Sequence, residues 1–355
     1  MIHRRHSTSA DVGGVIVGGG APVSVQSMTN TDTRDVAATL AQIARLAEAG
    51  CEIVRVAIPK RDALPFFADI VAGSTLPVVA DVHFDHTIAI EAARLGAAKL
   101  RINPGNIGDL TRVDAVIEAA GEAGIPIRIG VNAGSLAAEY DELDWPLPHK
   151  LAASAVAFCR HFESRGFTDI VVSTKASSVN DCVDAYRRVA AEIDYPLHIG
   201  VTEAGTALSG TVKSAAGLGI LLAEGIGDTL RVSLTADPVE EVVVGWELLS
   251  ALDIRRRSPE MVSCPTCGRC RVDLIPIANE VAKRLRDRRI PIKVAVMGCE
   301  VNGPGEARDA DIGVASGQGV GVIFAHGKTV RKVPEAQIVD ALFAEIDRLE
   351  AELGE

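Results

Sequence analysis

Aromatic side chains are scarce in this chain of 355 residues, at 4%, and basic residues are outnumbered by acidic ones, 36 to 47. The first shortage means that a core must be built from Ala, Val, Ile and Leu, the residues of parallel sheets and their covering helices. The second leaves a net charge of −11, without the basic excess that a general nucleic-acid binder needs. No apolar run reaches about 18 residues, so no membrane span is expected. The opening stretch "MIHRRHSTSADVGG" lacks the apolar segment of a secretion signal, so a cytoplasmic protein is expected. Low-complexity tracts are absent, as are sequence repeats of roughly 20–50 residues. Cysteine is present, but its count of seven is odd. Without a secretion signal, this argues against a disulfide framework and for metal or redox chemistry wherever thiols cluster. Cys51, Cys159 and Cys182 stand singly in apolar or helical stretches and read as core residues.

What is abundant is alternation. Eight short β-branched runs are each followed by a helical pattern rich in Ala and Leu. The runs are 23–27, 52–57, 77–82, 98–103, 126–131, 169–174, 197–202 and 229–234. The first helical pattern ends on Gly50, a residue suited to a C-cap. Strands joined by crossover helices pair in parallel, and eight such units at this length predict a closed (β/α)₈ TIM barrel. "VGGVIVGGG" before the first strand reads as a hairpin plugging one end. The connection Asn132–Lys150 exceeds ordinary loop length and is expected to be functional or to carry a short helix. After Leu252 the texture changes. A charged linker, "DIRRRSPE", leads to two cysteine-bearing stretches, a basic helix, further strand-like runs and a closing helix. The expected division is a barrel over 1–254 and a small α+β domain over 255–355.

Barrel chemistry lies at the C-terminal strand ends. There this acidic chain places Arg55, Arg101, Arg128, Lys175 and Arg231. Five cations aimed at one mouth repel one another, so an anion is expected between them, and guanidinium forks match phosphate or pyrophosphate. The rival reading is that each arginine caps a neighbouring carboxylate. Gln26, Ser27, Asp81, His83, Asn103, Asn132, Thr202 and Glu203 share the rim, with Asp81, His83, Asn103 and Asn132 as candidate substrate contacts beside the five cations. Glu203 follows its strand without a break. A partly buried carboxyl there would be a candidate general acid, unless a salt bridge to Lys175 or an arginine holds it. His83 could be purely structural, and "NPGN" (103–106) is first a turn and second a phosphate-contacting loop.

The remaining four cysteines lie in "SCPTCGRC" (263–270) and "MGCEVNGPGE" (297–306). Cys264 and Cys267 are spaced C-x₂-C, and Cys299 stands alone, so no ordinary zinc set closes. Three thiolates suit an iron–sulfur cluster. Spacing leaves its fourth ligand open between Cys270, which completes C-x₂-C-x₂-C, and Glu306, which follows the turn "NGPG".

The stretches "VQSMTNT", "ADVHFD", "LRINPGNIG", "PIRIGVNAGSL", "TEAG", "EGIGDTLRVSL", "CPTC" and "GCEVNGPGEA" together resemble the bacterial 4-hydroxy-3-methylbut-2-enyl diphosphate synthases of the methylerythritol phosphate route to isoprenoids. The likeness covers essentially the whole chain. It implies a barrel followed by a [4Fe–4S] domain akin to parts of sulfite and nitrite reductases, with cluster ligands at Cys264, Cys267, Cys299 and Glu306. Cys270 lies where the family pattern does not require cysteine. The implied reaction is reductive ring opening and dehydration of a cyclic diphosphate, with a flavodoxin or ferredoxin as electron donor. The basic stretches 255–257 and 283–289 could steer such an acidic donor or could be a plain solvated linker and helix face. A homodimer with each site shared between chains is also expected. The eighth helix should end at the face opposite the mouth, and the ten-residue linker spans about 33 Å at full stretch. Two rivals are a pterin-binding-type barrel carrying structural zinc and an iron–sulfur sensor module. The second has no use for the five rim cations.

Overall fold

The computed structural model describes residues 2–286, 288–299 and 310–353. The chain divides into two compact units, Met1–Arg255 and Arg256–Glu355.

The first unit opens with an antiparallel hairpin, β1 (Ser9–Val12) and β2 (Val15–Gly18). The barrel strands are β3 (Ser24–Met28), β4 (Ile53–Ala57), β5 (Val78–Asp81), β6 (Lys99–Ile102), β7 (Ile127–Asn132), β8 (Ile170–Lys175), β9 (His198–Ile199) and β10 (Thr229–Leu230). They pair in parallel in the order β8-β7-β6-β5-β4-β3-β10-β9, and a bridge between Val172 and Leu197 brings the two ends together. The result is a nearly closed (β/α)₈ barrel. Helix starts are set locally. Asp35, Asp85, Asp109, Ser178 and Asp237 each accept a backbone N–H at a helix N-terminus, an interaction whose loss costs about 1 kcal/mol. Gly50 ends the helix Val36–Ala49 in the left-handed region, with φ of 105°. The long connection after β7 carries a short helix, Ala138–Asp141.

Strand alternation sorts the side chains. Val54, Val56, Ile127 and Ile129 join the core that the helices cover. On the opposite face, Ile53 and Val79 meet Val12 and Val17 of the hairpin, which plugs the N-terminal end. Above this plug the barrel interior is polar rather than aliphatic. Gln26, Lys99, Arg128 and His198 are all buried there. β9 and β10 have two residues each, shorter than the six-residue runs read from sequence. Just beyond β9, Gly200 lies against the Arg231 carbonyl, and a Cβ there would come within 2.7 Å of that oxygen.

The second unit is a mixed five-stranded sheet, ordered β11 (Glu260–Ser263), β12 (Lys293–Met297), β13 (Ile312–Gly317), β14 (Val320–Ala325) and β15 (Lys328–Pro334). The helices Leu274–Leu285 and Ile338–Leu353 share its core with Val294, Val296, Ile312 and Val314. Two strands escape the sequence reading. β11 begins inside the stretch read as linker. β15 is exposed at every position but one, so it shows no apolar alternation. Among the described residues no helix is long and apolar enough to cross a membrane.

A pH effect follows from the plugged end. Asp169, just before β8, is half-buried. Burial, then the charge of Asp11, raises its carboxyl to about 6, and Lys99 only partly opposes this. A carboxyl raised above its unfolded value contributes stability at low pH and loses it as pH rises through about 6. Asp169→Asn should therefore flatten the fall in barrel stability between about pH 4 and pH 7. Tryptophan fluorescence during urea unfolding reads this unit alone, because Trp145 and Trp246, the chain's 2 tryptophans, both lie in it.

Candidate active site

The C-terminal strand ends surround a cavity of about 190 Å³. Its wall contains Arg55, Arg101, Arg128, Lys175 and Arg231, together with Asp81, His83, Asn132 and Thr202. Met28, Ser173, Val201 and Ser233 complete it.

Two carboxylates partly balance the cations. Asp81 meets Arg101 at 3.1 Å, Arg55 at 3.5 Å and His83 at 3.4 Å. Burial alone would raise its pKa, but Arg55, His83 and Arg101 outweigh that and hold it well below the usual carboxylate range. Glu241, from the helix Pro238–Ala251, accepts from Arg231 at 3.0 and 3.2 Å. It also accepts from Ser27 Oγ at 3.2 Å and the Leu234 N–H at 3.0 Å. Arginines paired with carboxylates and cations without a paired carboxylate among the described residues thus coexist, and five cations against two carboxylates leave an excess of three positive charges. Arg55 also donates to Met28 Sδ at 2.8 and 3.2 Å. Arg128 is 1% exposed, and its Nε and Nη1 have no hydrogen-bond partner among the described residues. Burial first, and neighbouring arginines second, pull Arg128 and Lys175 below their ordinary values. Burial brings Arg55 down to about 10. A bound polyanion would reverse each of these shifts, since an opposite charge favours the charged form.

Two glycines make room for this crowding. A Cβ at Gly130 would lie 2.7 Å from Arg101 Nε, and one at Gly200 would lie 2.7 Å from Lys175 Nζ. Sequence reasoning missed both glycines, along with Glu241 and His198. Strand alternation carried a signal for two of them, because His198 and Gly200 share the inward face with Thr202.

The other candidates fall out as follows. Asn132 accepts from Arg101 Nη2 at 2.9 Å. Asn103 does not line the cavity. Its oxygen accepts from the Gly105 N–H at 3.2 Å and its nitrogen donates to the Ser135 carbonyl at 2.7 Å, so it caps the turn Pro104–Ile107. Gln26 lies deeper, with neither amide atom hydrogen-bonded among the described residues, and Ser27 turns outward to Glu241. Glu203 corrects an expectation. It is exposed rather than partly buried, because the chain turns left-handed there (φ of 52°) and carries the carboxyl to the rim. Among the described residues it makes no ion pair.

In the second unit, β11 and β12 are parallel neighbours, so Cys264 and Cys299 both follow the same sheet edge. The Gly298 N–H donates to Cys264 Sγ at 3.2 Å. Cys267 is exposed, and the backbone N–H and then the side chain of Arg269 lower its pKa, which favours thiolate, the ligand form. Cys270 instead directs its thiol to the Val272 carbonyl at 3.3 Å. The thiols at 264, 267 and 299 suit soft metal chemistry. Among the described residues, however, no three ligand-type side chains stand close enough to enclose a metal ion. Glu306 lies outside the described residues. The three isolated cysteines behave as core. Burial pushes Cys51 and Cys159 up to about 12 and raises Cys182. The basic helix is not a free patch. Arg284 pairs with Asp340 at 3.0 Å, and Arg288 pairs with Asp347 and Glu350 at 2.6 and 2.5 Å.

The architecture is thus a barrel with a polycationic mouth, followed in the chain by a thiol-bearing α+β unit. The chain belongs to the GcpE family. Residues 7–246 match the GcpE TIM-barrel domain and 260–348 the GcpE protein C-terminal domain. A relative from Geobacter sulfurreducens, named 4-hydroxy-3-methylbut-2-en-1-yl diphosphate synthase (flavodoxin), is 56% identical over 96% of this chain and 97% of its own. One of the same name from Anoxybacillus flavithermus is 53% identical over 99% and 97%. Among solved structures, a dihydropteroate synthase from Xanthomonas albilineans covers 70% of this chain and 98% of its own, with a TM-score of 0.52 at 16% identity. That likeness concerns the barrel fold alone.

The glycine geometry makes a prediction. Gly130→Ala keeps every charge but displaces the Arg101 guanidinium. Affinity for inorganic pyrophosphate should fall roughly 10-fold or more, the scale of one lost charge-assisted contact. Calorimetric titration reads the effect, and unchanged affinity would show that Arg101 does not face the anion.

Proposed function

We propose that this chain catalyses the reductive ring opening and dehydration of 2-C-methyl-D-erythritol 2,4-cyclodiphosphate to (E)-4-hydroxy-3-methylbut-2-enyl diphosphate, a step in making isoprenoid precursors. The observation that carries this reading is the cavity with its excess of three positive charges, in a chain whose relatives bear the synthase name. A compact cyclic diphosphate supplies the anion that the arginine forks and Lys175 match. Arg128 and Lys175, which no carboxylate pairs among the described residues, take the diphosphate oxygens. Asp81 and Glu241 keep Arg55, Arg101 and Arg231 oriented rather than neutralised. Asn132 and His83 complete the polar wall.

Cys264, Cys267, Cys299 and Glu306 are the proposed ligands of a [4Fe–4S] cluster. When bound, it supplies electrons one at a time and an iron position open to exchange. The hydroxyl leaves as water and needs a proton. Glu203 is the proposed donor, and its exposed position lets it reprotonate from solvent between turnovers. Flavodoxin is the proposed electron donor, after the relatives' names. Arg284 and Arg288 of the basic stretch are engaged with the closing helix and lend this docking no support. A reducing, cytoplasmic setting suits a chain that uses its thiols as ligands.

We also propose a homodimer in which the cluster unit of one chain serves the barrel of its partner. Arg255, the last barrel residue, donates to the Val23 carbonyl at 2.7 Å and pairs with Glu52 at 2.9 Å. Both contacts lie at the N-terminal strand ends, so the chain leaves the barrel at the face opposite the cavity.

Anaerobically reconstituted protein with reduced flavodoxin should convert the cyclodiphosphate to the linear diphosphate, as followed by mass spectrometry. No consumption of substrate by cluster-loaded protein would sink the assignment. Arg128→Met should raise KM roughly 10–150-fold with the cluster spectrum unchanged. Cys270→Ser should keep the cluster, whereas Cys264→Ser should lose it. A further prediction concerns assembly. Mixing Glu203→Gln chains with Cys299→Ser chains, each inactive alone, should restore activity under conditions of proven subunit exchange. No recovery would place each site within one chain.

A further inference from the structure

Lys175 differs from the cavity arginines in what holds it. Among the described residues, its Nζ has one hydrogen-bond partner, His198 Nε2, at 3.3 Å. An ammonium can only donate, so the imidazole must accept, which requires a neutral ring with its proton on Nδ1. The surroundings enforce that state. His198 is 0% exposed, and the charged groups that face it are Arg128, Lys175, Lys99 and Arg55, all cations. Burial first, and these cations second, push the ring well below its ordinary value. Ring Nδ1 has no hydrogen-bond partner among the described residues, and it is the backbone of His198 that is tied down. Its backbone carbonyl accepts from Tyr186 Oη at 2.7 Å, and Tyr186 belongs to the helix Val179–Glu192 behind the sheet. On the other side Gly200 offers bare backbone, with 2.7 Å between its would-be Cβ and Nζ and 3.2 Å to Cε. Lys175 therefore lies between an acceptor and a space kept clear for it. Its flexible stem has no fork geometry of its own, and four arginines repel its charge.

We propose that His198 is a positioning residue whose neutral Nε2 anchors the Lys175 ammonium, so that Lys175 meets the substrate's diphosphate. The inference rests on the cyclodiphosphate reading of the cavity. A carboxylate at 198 would neutralise Lys175 and a second cation would repel it, whereas a neutral acceptor orients the charge and leaves it available to the ligand.

The test is a double-mutant cycle on full-length, cluster-loaded protein. Cyclodiphosphate binding is measured by calorimetry without reductant, so that no turnover occurs. Lys175→Met should weaken binding at least 10-fold. His198→Leu should weaken it by a similar order, with the tryptophan-monitored unfolding midpoint and cluster absorbance retained. His198→Gln, which keeps an acceptor near the Nε2 position, should come back to within about threefold of the parent. On the Lys175→Met background, His198→Leu should cost almost nothing more. If His198→Leu costs the same factor on both backgrounds, or costs nothing on the parent, the positioning role is wrong while the substrate site stands. If Lys175→Met itself leaves binding unchanged, the assignment of Lys175 to the substrate site fails and the inference falls with it. Should His198→Leu not fold, His198→Asn, whose shorter amide stops short of Nζ, takes its place in the cycle.

Discussion

Like-charge crowding inside the barrel mouth is the constraint on which the rest of the site depends. Unit charges a few ångströms apart repel strongly when water is excluded, and a barrel lined by five cations would open unless each were restrained. Each restraint works differently. Asp81 ties Arg55 and Arg101 together from the floor. Glu241 reaches in from an outer helix to hold Arg231, and the same carboxylate secures the Leu234 N–H in the loop after β10. Met28 gives Arg55 a soft acceptor without charge. Gly130 and Gly200 give the long side chains somewhere to lie. The carboxylates tie the mouth together and are too few to neutralise it, which leaves it net positive.

The same economy explains what could be read from the chain in advance. The barrel was legible because its strands are β-branched, its caps are Asp, Ser and Gly, and its helices follow each strand with little interruption. The five cations were legible because each sits at the end of a strand-like run in an otherwise acidic chain. Glu241 was not, because it comes from the middle of a helix whose other faces look ordinary, and only folding brings it beneath Arg231. His198 looked like one more residue of a strand. Asn103 and Glu203 show how local backbone decides where a side chain after a strand goes. A polar residue after a strand can be used by the turn itself, as Asn103 is, or carried outward by one left-handed φ, as Glu203 is.

The second unit was harder to read. Its outer strand β15 is nearly all exposed, so no apolar alternation marks it. Its first strand β11 hides behind a charged segment that resembles a linker. The basic stretch 283–289 looks like a docking patch in one dimension, yet Arg284 and Arg288 pair with the closing helix and stack on Phe343, with the Arg284 guanidinium 4.0 Å from the ring centroid. Such long basic side chains cover apolar surface as well as carrying charge.

The three uncompensated charges also bear on how durable the protein can be. Their mutual repulsion is a standing cost to the unliganded fold, and ligand binding offsets it by mass action. Selection for tighter capture of a polyanion and selection for a sturdier resting protein therefore pull in opposite directions at the same five positions. Homologues from hot environments would be expected to gain their rigidity elsewhere, in loops, helix surfaces and ion-pair networks, and to leave the mouth as strained as it is here.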